Sequence, residues 1–377
     1  MSTGERWRAA LVLGVGFAVS IGGPLAGARL AGRDLGALLE FPPRTEPWDQ
    51  PGFSWAAWLA MAVPLGAIAA GFVGSVLRAT AVPTGPPARR FPGWGWGSVL
   101  FLGVAWAVAW ARLDWLSDIQ RHTFTPLWIG FVLVVNALAF RRAGRCLLAE
   151  RPAFLGALAI LSAGFWWMFE ILNRVAGNWH YRGIGGMGDV EYFILATVPF
   201  MTVLPAVASS WELLGTYPRL RHLALPPVAA DGPALPGVLL VAGLAGLVLV
   251  GAWPEVAFPF VWLGPAFVLL GLDGLLSDGG FMGDVRARDW SRLVIPGLAA
   301  LLCGAWWEMW NARSLAGWEY TVPYVDRFDI FAMPVLGYAG YVPFGVTCAL
   351  VINLAAKAVL GREMASSPRV AANEQSV

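Results

Sequence analysis

Ten apolar stretches separated by short polar or Gly/Pro-rich segments set the plan of this chain. They cover about residues 9–28, 53–77, 97–115, 126–140, 152–173, 192–214, 235–252, 258–276, 292–311 and 328–358. Most are long enough for a helix to cross a bilayer, which takes roughly 20 residues. The fourth is short, and predicts a helix that is tilted, partly re-entrant or longer than its apolar run. A transmembrane barrel would show weak alternation in ten-residue segments instead. The pattern predicts an all-α fold, a polytopic transmembrane helical bundle of about ten spans. The first stretch follows Arg6 and Arg8 and has the look of a signal peptide. It contains Gly22-Gly23-Pro24 and runs into Arg29 without a small-residue cleavage site, so it predicts a retained helix.

Composition agrees with the pattern. The chain is 58% hydrophobic and 13% charged, with mean hydropathy +0.62, where a soluble domain carries about 25% charged residues. The net charge of +2 and the absence of a basic run exclude nucleic acid as a partner. Cys146, Cys303 and Cys348 are odd in number and unpaired in spacing, and His122, His180 and His222 lie far apart. Neither a disulfide framework nor a metal site is predicted, and no cofactor motif appears. The expected partners are the lipid bilayer and a hydrophobic small molecule, with homo- and hetero-oligomers both open. An even number of spans puts both termini on one side. The loops on that side hold most of the arginines, which places the termini in the cytoplasm and the chain in an inner membrane.

The chain divides into two N-terminal transmembrane helices (1–82), a four-helix repeat (93–217), a second four-helix repeat (234–360) and a disordered cytoplasmic tail (361–377). Pro-rich connectors at 83–92 and 218–236 separate the parts. Trp128 and Gly130 match Trp262 and Gly264 at an offset of 134, and Trp179 and Tyr181 match Trp318 and Tyr320 at 139. Four spans per copy make the repeats parallel, with the loops after the fifth and ninth spans opening on the same, outward face. The glutamates Glu170 and Glu308 align at 138 if Glu-x-x-Asn is matched. They miss by two residues if the Trp pairs at 166 and 306 are matched, and two residues turn a helix by about 200°. Both alignments stay open.

These loops and the helix ends before them hold the candidate chemistry. Glu170 follows a long apolar run, with Asn173 one turn on, and Glu308 and Asn311 have the same spacing. A carboxyl inside a bilayer is costly and faces protein or a polar cavity. Loss of water disfavours its charged form, leaving an acid able to donate a proton; the simpler role is to hydrogen-bond the loop. Asp189 and Glu191 precede the sixth span, and Asp326 and Asp329 the tenth. They are expected to cap helix N-termini or to supply the second member of an acid–base pair. Trp166, Trp167, Trp306, Trp307 and Trp310 lie near a glutamate, where aromatic faces could shield a cation; packing is the simpler role for any one of them. Pro199 and Pro205 predict a break in the sixth span, and Pro334 and Pro343 one in the tenth. Asn136, Asp273 and Asp278 read as inter-helix hydrogen-bonding groups.

The unit resembles the membrane-embedded lycopene cyclases of the heterodimeric type. Their repeat has an acid on an apolar helix, then Gly-x-Trp-x-Tyr, then an acidic pair before the next helix. Here these are Glu170, Gly177-Asn178-Trp179-His180-Tyr181, then Asp189-Val190-Glu191; the second copy offers Glu308, Gly317-Trp318-Glu319-Tyr320, then Asp326 and Asp329. The family's adjacent Glu-Glu after proline is replaced by Asp-x-Glu and Asp-x-x-Asp. The resemblance implies proton-initiated, redox-neutral cyclisation of a polyene without metal or cofactor. It implies catalytic roles for Glu170, Asp189, Glu191, Glu308, Asp326 and Asp329, and substrate contacts for Asn173, Trp166, Trp167, Trp179, Tyr181, Trp307, Asn311, Trp318 and Tyr320. The expectation is a membrane enzyme that cyclises, isomerises or hydrates an isoprenoid lipid. The alternatives are a transporter with pseudo-symmetric halves and a non-catalytic assembly partner.

Overall fold

Each apolar stretch forms helix over most of its length in the computed structural model, which describes residues 1–78, 89–220, 234–277, 280–286 and 289–364. The parts of the two connectors at 79–88 and 221–233, Asp278, and the tail from 365 lie outside the described residues. The main helices are α1 (Thr3–Leu30), α2 (Trp55–Arg78), α3 (Gly93–Trp110), α4 (Phe124–Ala143) and α5 (Pro152–Ala176). They continue as α6 (Asp189–Phe200), α7 (Val203–Leu214), α8 (Leu235–Ala252), α9 (Phe260–Leu276), α10 (Ser291–Asn311) and α11 (Tyr341–Leu360). Among the described residues, nine helical segments are long and apolar enough to cross a membrane, with α6 and α7 together forming one. The α9 helix, at 17 residues, is shorter. The fourth span is longer than its apolar run, because α4 extends to Ala143 before Gly144 ends it in a left-handed cap.

Helices α5, α7, α9, α10 and α11 form the packed centre, with Phe165, Phe169, Trp310 and Phe344 fully buried. Lipid tails are as apolar as these side chains, so close backbone approach and internal polar bonds hold such a bundle together. Gly27 of α1 and Gly251 of α8 show the first device: a Cβ on either would collide with the other helix's backbone. Asn136 shows the second, donating to Ser209 of α7 and accepting from the Leu148 amide. Asp273 differs from that expectation: among the described residues it accepts from Ser277, one turn on at the end of its own helix. In contrast, α2 buries none of its residues.

The break in the sixth span falls at Met201–Thr202, between Phe200 and Val203, with Pro199 ending the first piece. Free backbone groups at membrane depth need partners. Ser162 of α5 supplies both: its hydroxyl donates to the Phe200 carbonyl at 2.5 Å and accepts from the Leu204 amide at 3.0 Å. The tenth span differs from expectation. Residues Asp329–Ile330 (β3) and Met333–Pro334 (β4) form a small hairpin, and a 3-10 segment, Val335–Gly340, leads into α11. Pro334 therefore lies in a strand and Pro343 in the first turn of α11, where proline costs little, so neither breaks a helix.

Candidate active site: two acid–tyrosine units on one aromatic cavity

The loops after α5 and α10 do not stay apart. Each contributes a four-residue strand, β1 (Trp179–Arg182) and β2 (Gly317–Tyr320), and these pair antiparallel. The register sets Trp179 against Tyr320, His180 against Glu319, and Tyr181 against Trp318. Alternation along a strand sends 179, 181, 318 and 320 to one face and 180 and 319 to the other. On that second face His180 Nε2 lies 3.5 Å from Glu319, which also faces Arg182 at 3.5 Å.

An asparagine clips each strand to its helix. The Asn173 carbonyl accepts from the amides of Asn178 and Trp179, and its NH2 donates to the Trp179 carbonyl at 2.7 Å. Asn311 does the same at Trp318, accepting from its amide at 2.8 Å and donating to its carbonyl at 2.7 Å. The turn after α5 needs Gly177, whose φ is +66° and whose Cα faces Trp48 too closely for a side chain. Both asparagines are fully buried and work as structural clips, not cavity-lining contacts.

Above the clips, Glu170 and Glu308 are buried, 1% and 0% exposed, with no ion-pair partner among the described residues. Three donors converge on Glu170 Oε1: Tyr181 at 2.6 Å, Trp166 at 2.8 Å and Trp179 at 3.3 Å. Glu308 Oε1 accepts from Tyr341 at 2.6 Å and Tyr320 at 2.8 Å, and Tyr320 in turn accepts from Trp318 at 2.8 Å. Glu308 Oε2 is buried without a partner. The same clip and the same tyrosine contact serve both glutamates, which favours the Glu-x-x-Asn alignment over the Trp-pair one. In that alignment Trp166 stands opposite Gly304. A Cβ on Gly304 would strike the Tyr341 ring, so Tyr341 fills the place that Trp166 holds in the first unit. Burial, and then the adjacent Glu170, pushes the Tyr181 hydroxyl well above the usual phenol range. Burial and Glu308 do the same to Tyr320. Both keep their protons at neutral pH.

Tyr181, Tyr320 and Tyr341 open on one cavity of about 370 Å³, walled by Trp166, Trp179, Trp262, Trp307, Trp318 and Phe344. Trp262 stacks on Phe169 at 5.2 Å and on Trp179 at 5.6 Å, and Trp307 stacks on Tyr341 at 5.9 Å. The glutamates do not line this space themselves; each stands one hydrogen bond behind a phenol. Trp167 is turned away, donating to Thr197 and packing with Phe193 and Phe200. Trp306 and Trp310 pack against Trp106 and Phe131.

The loop acids lie elsewhere. Asp189 and Glu191 are exposed in the first turn of α6, whose N-cap is Gly188 without a side-chain bond. Asp189 pairs with Arg44 at 3.2 Å, so it neither caps the helix through its side chain nor meets Glu170. Asp326 and Asp329 precede the β4 hairpin partner, far in sequence from the start of α11, and line a separate polar cleft with Glu319 and Arg182. Although exposed, Asp326 loses part of its water to the surrounding loop, and with Asp329 beside it is pushed up to about 6. Tyr341, Trp262 and the segment before α2 escaped sequence reasoning. In that segment Thr45 accepts from Asn173 and Gln50 donates to the Ala176 and Gly177 carbonyls. Tyr341 carries the one signal that could have found it, a hydroxyl among apolar neighbours one turn from an aromatic. No family model, no curated protein and no solved structure matches this chain.

Proposed function

We propose that the protein is an integral membrane enzyme that isomerises or cyclises an isoprenoid lipid by acid–base chemistry, with its two outward-facing units related as parallel repeats. The observation that carries this is the convergence of two buried carboxyls, through tyrosine hydroxyls, on one aromatic cavity. With one glutamate in its acid form, its proton passes to the tyrosine oxygen as the phenol proton goes to an alkene carbon. The glutamate is left as carboxylate and the substrate as a carbocation. Indole and phenol faces stabilise such a cation by about 0.5–2 kcal/mol each and keep water from quenching it. The other unit, starting as carboxylate, removes a proton from a neighbouring carbon through its own tyrosine and restores a double bond. No oxidant or reductant is consumed. A hydratase would add water to the same cation, and the aromatic wall favours the first two outcomes.

The distance of the loop acids from the cavity centres this reading on Glu170 and Glu308. The stitched break in the sixth span weakens the transporter reading, because Ser162 already occupies the backbone groups an ion would need. The test is expression in hosts that accumulate lycopene or linear polyprenyl lipids, followed by pigment and lipid profiling. New cyclic or double-bond isomers that disappear in Glu170→Gln and Glu308→Gln support the reading. Unchanged lipid pools in both hosts, or products that survive both substitutions, reject it.

A further inference from the structure

The cavity is not uniformly apolar. Its walls include Arg121, His122 and Arg182, and among the described residues none of its lining is a carboxylate. Arg121 and His122 end the loop between α3 and α4, and neither side chain has a hydrogen bond or ion pair among the described residues. Arg182 is partly committed. One terminal nitrogen donates to the carbonyls of Asn311 and Ser314, and the other faces Glu319. Its Nε is buried and unpartnered, and lies beside Gly317, which also lines the cavity. A buried donor without an acceptor is costly, and this one is enclosed by the ribbon itself. Glu319 offsets part of the charge of Arg182 from outside the lining; nothing offsets that of Arg121 there.

We infer that the mouth of the cavity binds the phosphate head of an amphiphilic prenyl lipid, whose tail lies among the tryptophans. This rests on the isoprenoid reading for the tail. For the head it rests on Arg121 and His122, with the charge of Arg182 beside them in the same lining. Arginine recognises phosphate through several charge-assisted hydrogen bonds at once, and a bare hydrocarbon would make no use of the cationic side chains exposed at this end of the cavity. The anionic group of a membrane phospholipid has the same chemistry, so the test separates the two.

The experiment measures quenching of tryptophan fluorescence in purified full-length protein in neutral nanodiscs. The probes are a C20 prenyl diphosphate, the C20 prenyl alcohol and phosphatidic acid. The diphosphate is expected to bind at least about tenfold tighter than the alcohol, the effect of one charge-assisted contact. The difference should shrink as salt is raised and vanish in Arg121→Gln/His122→Gln, with alcohol binding and melting temperature retained. Arg182→Lys, which keeps the charge, should leave the preference for the diphosphate in place. Equal binding of diphosphate and alcohol, an unaffected double variant, or equal competition by phosphatidic acid overturns the inference. Tight, Arg121-dependent diphosphate binding without any Glu170-dependent product would leave this inference standing and remove the enzymatic reading.

Discussion

Tyr181 is the residue on which the proposed chemistry turns, because it alone of the first unit's hydroxyls touches both Glu170 and the cavity. Tyr181→Phe keeps the ring and deletes the relay. Conversion should fall by about 10²- to 10⁴-fold, the usual worth of a positioned proton donor, with the melting temperature little changed; full activity would show that the proton takes another path. A second prediction concerns Asp326. Its carboxyl is raised from 3.8 to about 6 in the folded protein, so ionising it opposes folding. The sign is opposite to that of a salt-bridged aspartate: the cost is absent below the unfolded value and is fully present above the folded one. Melting temperature followed from pH 4 to 8 should therefore show Asp326→Asn gaining on the parent as pH rises to about 6. Parallel curves would contradict this. At this scale the sequence named both glutamates and both asparagines, since a polar residue one turn from a carboxyl stands out in an apolar run. It did not pair Tyr341 with Glu308, since the two lie 33 residues apart.

Between elements, the bundle depends on a few points of backbone contact. Ser162 answers two backbone groups at the α6–α7 break. Ser162→Ala should cost about 1–3 kcal/mol, the penalty for leaving such a group unsatisfied, measured by reversible denaturation in mixed micelles; a loss below 0.5 kcal/mol, roughly the smallest net worth of one bond, would mean that another group takes over. At the α1–α8 crossing, Gly251→Ala places a methyl against the Pro24 carbonyl. A loss of about 1–3 kcal/mol is expected for such overpacking, while Gly66→Ala on the unburied face of α2, with open space around it, should be neutral. Equal effects at the two sites would refute the assignment of α1 to the packed bundle. Hydropathy made these helices legible because bilayer thickness fixes their length. The β3–β4 hairpin was not legible: residues 328–334 are apolar enough to extend the tenth run, and only tertiary context makes them turn.

For the molecule as a whole, the β1–β2 ribbon joins two stretches of chain almost 140 residues apart. His180→Cys with Glu319→Cys puts two thiols on directly opposed residues, within the Cα separation of ~4.4–6.8 Å that a disulfide spans. The native cysteines are all buried. Mild oxidation should close an intramolecular link that speeds migration in denaturing gels, whereas failure to close would remove the proposed pairing of the halves. The pairing of the two loops was not readable in the sequence, since neither four-residue segment carries a hairpin signal of its own.

Alternation within that ribbon bears on how such a chain can change over generations. Because side chains switch faces at every step, one residue inserted between Trp179 and His180 would carry His180 to the cavity side and Tyr181 to the ionic side, and the Tyr181 bond to Glu170 would be lost. Substitution can tune the cavity wall one residue at a time, but insertion or deletion here has no intermediate. Length is the fixed property of these eight residues, and drift in chain length is confined to the turns on either side.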